Sequence, residues 1–159
     1  FGVTVFVKHY PEKTQKLILE SAVVKPWFHP LTVEYYGAKY IFNPTRQRKF
    51  WDNLIADYEK NPKKILRKNM KLFTKLNPDT ILETLSPDEI SVLSHSLITG
   101  NDSGSGFVHD IDHRAKNIQK ISCPTLIIHS KNDGTVPFSH AEYAHKMIPN
   151  TEFNNNAPF

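Results

Sequence analysis

The spacing of apolar and polar positions changes character twice along the chain. Gly2–His9 is apolar and predicts a helix that stops before Pro11, because a proline pushes the residue ahead of it, Tyr10, toward extended backbone. After the polar turn Glu12–Gln15, the run Lys16-Leu-Ile-Leu-Glu-Ser21 and the following Ala22, Val23 and Val24 form a short apolar stretch. Such a stretch predicts a strand covered on both faces, as in a parallel sheet. Helix, turn and strand in that order is the rhythm of an α/β fold.

The period then becomes helical for many residues. Lys25-Pro-Trp-Phe-His-Pro30 is a linker with two prolines, and helices are expected over 31–42, 45–60, 62–76, 79–85 and 87–98. Asn61 before Pro62 and Ser86 before Pro87 are cap-plus-first-turn signals, and Ser86-Pro-Asp-Glu89 fits a capping box. Gly100–Gly106 predicts a loop, and a short amphipathic segment over 109–119 leads to the clearest strand, within Ile121–Ser130. Lys131-Asn-Asp-Gly134 then has turn composition, 139–147 is helical, and 151–153 begins a third strand. The expected fold class is therefore α/β, with parallel strands near 16–21, 125–129 and 151–153. Residues 1–26 and 116–159 make the core, and a helical insertion spans 27–115.

Composition narrows the function. The 159 residues include one cysteine, Cys123, so neither an internal disulfide nor a cysteine zinc cluster is possible within them. No apolar run approaches the ~20 residues of a membrane helix. No leader peptide is visible and a cytoplasmic location is the expectation, although Phe1 is not an initiator methionine. The net charge of +4 hides a cluster: Lys60, Lys63, Lys64, Arg67, Lys68, Lys71 and Lys75 occur without an intervening acid. A solvated face of an amphipathic helix accounts for them, with Ile65, Leu66, Met70, Leu72, Phe73 and Leu76 on the side to be buried. No nucleic-acid partner is expected.

The residue placed for chemistry is Asp133. It follows the C-terminal end of a buried strand, where open parallel sheets bind ligands. A carboxylate there can orient a histidine and stabilise its charged form, or it can simply shape a turn before Gly134. Other candidates are weaker. Gly100-Asn-Asp102-Ser-Gly104 resembles a nucleophile elbow built on Asp102, but an elbow needs a strand before it and a helix after it. His109 and His113 lie four apart but lack the glutamate of a zinc-protease helix, and no metal is expected. His140 and His145 are too far round a helix to share a face, Ser21 lacks a small-residue frame, and His129 reads as a core or sheet-edge histidine.

Cys123-Pro-Thr-Leu-Ile-Ile-His-Ser-Lys-Asn-Asp133-Gly-Thr-Val-Pro137, with His140-Ala-Glu-Tyr-Ala and Ile148-Pro-Asn-Thr-Glu-Phe153, resembles the acid-residue segment of the α/β-hydrolase superfamily. There a strand ends in a G-x-x-D-x-x-V-P-like turn whose Asp is the triad acid; Ser130 stands here where glycine is usual. Tyr10–Ser21 is similar to the family segment after the nucleophile helix, and the helical insertion occupies the place of the family's cap. The resemblance implies a serine hydrolase of esterase type with Asp133 as acid. It also implies a small hydrophobic acyl or aromatic substrate met by Trp27, Phe28 and Val136, and no cofactor.

The family's G-x-S-x-G elbow and its G-H histidine dipeptide occur nowhere in these residues. The expectation is a segment that lies between nucleophile and histidine and is inactive alone. The nucleophile (Ser, Cys or Asp) and the bond cleaved stay open. A second reading makes the chain a non-catalytic module whose basic helix 62–76 binds an acidic partner. The hydrolase reading further requires the strand Leu17–Glu20 to keep one edge unpaired.

Overall fold

The computed structural model describes residues 2–99, 108, 111–112 and 116–155. The segments around Asp102, His109 and His113 lie outside them. Two compact units result. One holds the described residues up to Trp27 together with those from residue 111 onward, and the other begins at Phe28.

In the first unit α1 (Gly2–His9) ends as the chain reaches Tyr10-Pro11, with Lys8 and His9 in its last turn where the helix dipole favours cations. A 3-10 turn leads to β1 (Leu17–Glu20). Strands β2 (Thr125–Ile128) and β3 (Thr151–Asn154) complete a parallel sheet in the order β1-β2-β3. Leu17 pairs with Thr125 and Leu19 with Ile127, and Thr125 and Ile127 pair with Thr151 and Phe153. The helix between β2 and β3 is Ser139–Met147. It supplies the crossover that a parallel pair requires.

Register decides which side chains are buried. Leu17, Leu19 and Ile127 point to the face covered by Val7 of α1 and by Ala141 and Ala144 of the crossover helix. Ile18 points the other way and is 61% exposed. The expectation that this strand is covered on both faces is corrected here. The packed helices among the described residues cover one face, and period-two geometry leaves Ile18 and Glu20 on the other. The edge of β1 away from β2 pairs with no described strand. Ser21, just past β1, has φ of 41° and gives its N–H to the Ile128 carbonyl at 3.0 Å. It is exposed and framed by no small residues.

The second unit is helical: α2 (Val33–Ile41), α3 (Pro44–Lys60), α4 (Pro62–Phe73), α5 (Pro78–Thr84) and α6 (Pro87–Thr99). Four of the five begin at a proline, which lacks the N–H that a first-turn position cannot satisfy anyway. Asn43, Asn61 and Asn77 cap the first three of these through side-chain oxygens that accept from Thr45, Lys64 and Asp79 N–H, each at 3.0 Å. At α6 the Ser86 N–H reaches Glu89 Oε2 at 2.8 Å and the Glu89 N–H reaches Ser86 Oγ at 3.3 Å, a closed capping box. Those bonds from Ser86 hold the Glu89 carboxyl below the usual carboxylate range.

Burial in α4 falls on Ile65 and Leu66 while its lysines stay exposed. Leu72 and Phe73, expected inside, are exposed, because burial stops before the last turn of the helix. Phe42, Phe50 and Trp51 form an aromatic group between α2 and α3, with centroids 4.9–6.3 Å apart. Arg67 and Asp79 form an ion pair between α4 and α5. Among the described residues no helix is long and apolar enough to cross a membrane.

The two faces of β1 give a direct test. Leu19→Ala is expected to cost about 2–5 kcal/mol in urea unfolding, because it opens a cavity in the core. Ile18→Ala is expected to cost under about 1 kcal/mol, as an exposed position does.

Candidate active site

Strand β2 is the middle strand, and its C-terminal end delivers the loop Ser130–Pro137 to the crevice side of the sheet. The loop folds on itself. Asp133 N–H donates to the Ser130 carbonyl at 3.3 Å, and Asn132 N–H donates to Ser130 Oγ at 3.1 Å. The Asp133 side chain turns inward, with the residue 8% exposed. Its Oδ1 accepts the N–H groups of Thr135 and Val136, both at 2.8 Å. Of the two alternatives weighed for Asp133, the turn is the one in place: one carboxylate oxygen holds it. Oδ2 faces His129 Nε2 at 3.6 Å, beyond hydrogen-bond distance.

His129 is 1% exposed at the end of β2, a core histidine as expected, and it lies against this acid. Its Nε2 lies 2.9 Å from the Val136 carbonyl. A carbonyl only accepts, so the proton is on Nε2 and is directed at Val136. The Trp27 indole N–H donates to the Thr135 carbonyl at 2.9 Å. The loop is therefore tied to the exit of β1 by Trp27 and to the end of β2 by His129.

The crossover helix Ser139–Met147, α7, starts beside the same loop. His140, 1% exposed, accepts the Val24 N–H on Nδ1 at 3.2 Å, and Lys25 Nζ donates to Ser139 Oγ at 2.9 Å. Burial, then the charge of Lys25, then that of His129, push the His140 pKa down to about 4. His145, on the same helix, is exposed and meets Thr151 Oγ1 at 2.7 Å. Among the described residues no group of three or more His, Cys, Asp or Glu is placed to hold a metal ion.

Of the residues singled out from sequence, Asp133, Val136 and Trp27 meet at this loop. Val136 is buried, with its N–H on Asp133 and its carbonyl on His129. Phe28 belongs to the second unit. The sequence did not place His129 and His140 beside this loop, where both are buried. The one available signal was the spacing of His129 four residues ahead of Asp133, directly after an apolar run.

The arrangement of parallel strands and helices is similar to that of known proteins. An α/β hydrolase fold protein from Nakamurella multipartita superposes with a TM-score of 0.66 over 95% of this chain and 55% of its own, at 19% identity. The chain has an α/β-hydrolase fold. A thermophilic esterase from Thermogutta terrifontis superposes over 95% of this chain and 50% of its own, with a TM-score of 0.59 at 15% identity. In sequence the chain is related to an uncharacterized hydrolase of Bacillus subtilis (strain 168), YcgS, 31% identical over 147 residues. That match covers 90% of this chain and 51% of YcgS, so the chain spans about half the length of this curated relative. No protein-family model matches the chain.

The depressed His140 pKa fixes the sign of an acid response. The fold takes up this proton only near pH 4, whereas the unfolded chain takes it up near 6.5. His140 therefore contributes full stability above pH 6.5, loses it as pH falls, and levels off below about pH 4, a total of about 3 kcal/mol. His140→Asn keeps an acceptor for the Val24 N–H without the titration. Denaturant unfolding from pH 7 to 4 should show a shallower loss for this variant than for the wild type.

Proposed function

We propose that this chain supplies the triad acid, Asp133, and the helical cap, residues 27–115, of a carboxylic-ester hydrolase. The nucleophile and the triad histidine come from residues outside these 159, since no G-x-S-x-G or G-H pattern occurs within them. The observation that carries the reading is the division of labour on one carboxylate. Oδ1 is taken by two backbone N–H groups, and Oδ2 is the oxygen left to an incoming imidazole. A carboxylate held in that way fixes the tautomer of its histidine and stabilises the imidazolium formed when the nucleophile is deprotonated. The relationship to a hydrolase and the fold shared with an esterase support the reaction class.

In the proposed cycle the nucleophile attacks the ester carbonyl and its proton passes to the histidine. The histidine returns a proton to the leaving alcohol, and water then releases the acid by the same route. In this cycle the proton moves between nucleophile, histidine and leaving group, and Asp133 only orients the histidine. Trp27, Phe28 and Val136 are the residues we propose to meet the substrate, and their apolar character favours a hydrophobic acyl or aromatic group. The substrate is a small molecule, and the chemistry requires no cofactor. Taken alone the chain is inactive, because the acid has neither partner to act through.

The test is hydrolysis of p-nitrophenyl acyl esters by the longer protein that carries these residues. Asp133→Asn keeps an oxygen for the Thr135 and Val136 N–H groups, so the loop should persist. It should nevertheless lower kcat by about 10⁴. The 159 residues alone should show no turnover. An Asp133→Asn protein with unchanged kcat, or turnover by the isolated chain, would overturn the proposal.

A further inference from the structure

We propose that His129 is a positioning residue for the acid: its Nε2–H, donated to the Val136 carbonyl, locks the peptide groups that hold Asp133 Oδ1. The proposal rests on Asp133 being the triad acid. Val136 is gripped at both ends, since its N–H binds Oδ1 at 2.8 Å and its carbonyl binds His129 Nε2 at 2.9 Å. Rotation of the Thr135–Val136 backbone would swing both donors off the carboxylate, and the imidazole opposes that rotation. Without the Nε2–H, the Val136 carbonyl loses this bond in a buried site, and the loop can relax toward other partners.

The imidazole is itself held. His129 N–H donates to the Asn154 carbonyl of β3 at 3.2 Å, which extends the ladder one residue past β2. The ring meets Phe138 edge-on, with centroids 5.8 Å apart, and Phe138 stacks on Phe153 at 5.6 Å. Two aromatic contacts and a strand register thus aim one N–H at one carbonyl. A buried core histidine would need a partner of some kind. This one has as its partner the residue that binds the acid, with Nε2 only 3.6 Å from Oδ2. Triad geometry tolerates displacements of roughly half an ångström, so a relaxed loop misaims Oδ2 and slows the chemical step.

Three measurements test this. In the wild-type chain, ¹⁵N–¹H correlation spectra should place the His129 proton on Nε2; a proton on Nδ1 alone overturns the proposal. In the longer enzyme, His129→Phe keeps an aromatic ring but removes the donor. It should lower kcat for a p-nitrophenyl ester at least tenfold. His129→Gln, whose amide nitrogen reaches the place of Nε2, should recover most of that loss. A folded His129→Phe enzyme with wild-type kcat overturns the proposal, as does a rise in KM with kcat unchanged. If the Phe variant does not fold, the Gln variant decides: retained kcat supports the tether, and loss to the level expected of Phe overturns it. The Asp133→Asn enzyme separates the two readings. Unchanged kcat there removes the triad assignment itself, while the Nε2 spectrum still reports the tether.

Discussion

Two backbone N–H groups closing on one oxygen of Asp133 are the contact around which the site is organised. A buried carboxylate is costly unless hydrogen bonds replace its water, and Thr135 and Val136 supply them at 2.8 Å. That solution constrains the rest of the loop. The carbonyls of the same two residues point away from the acid and must be satisfied too. Trp27 reaches one and His129 the other. One carboxyl group thus organises a loop tied to the exit of β1 and the end of β2.

The sheet makes this possible by setting where each tie begins. Parallel pairing of β1 with β2, in the register Leu19↔Ile127, brings the two strands to their C-terminal ends side by side. Val24 and Trp27 emerge next to the loop that contains Asp133. His140 then closes the arrangement from the helix side by accepting the Val24 N–H. Burial and the neighbouring Lys25 keep its imidazole uncharged near neutral pH. The sheet core itself is apolar and one-sided, with Leu17, Leu19 and Ile127 under α1 and α7.

Much of this was legible in the residues, for identifiable reasons. The prolines after Asn61 and Ser86 announce helix starts because cap oxygen and missing N–H solve the same end problem, and Asn43-Pro44 and Asn77-Pro78 obey the same rule. Thr125–Ile128 is legible because a short apolar run between turn signals has few other uses. Coverage of β1 was not legible. An apolar run states that faces can be buried, while what covers them depends on the packed helices, and Ile18 lies outside their reach. His129 escaped because the turn at Ser130–Asp133 folds the chain back, and no linear pattern records which carbonyl then faces the imidazole. Trp27 could be placed near the acid, but its bond to Thr135 depends on the parallel register, a property of residues more than a hundred positions apart.

The central claim is that Asp133 holds one oxygen on its own loop and offers the other to a histidine. A crystal structure of the longer protein with an alkylphosphonate on its nucleophile tests it most directly. The account predicts Oδ1 still bonded to the Thr135 and Val136 N–H groups, and Oδ2 within about 3 Å of an imidazole nitrogen from a histidine other than His129. An Asp133 whose Oδ2 meets no second histidine, with the trapped nucleophile served by another acid, would contradict it.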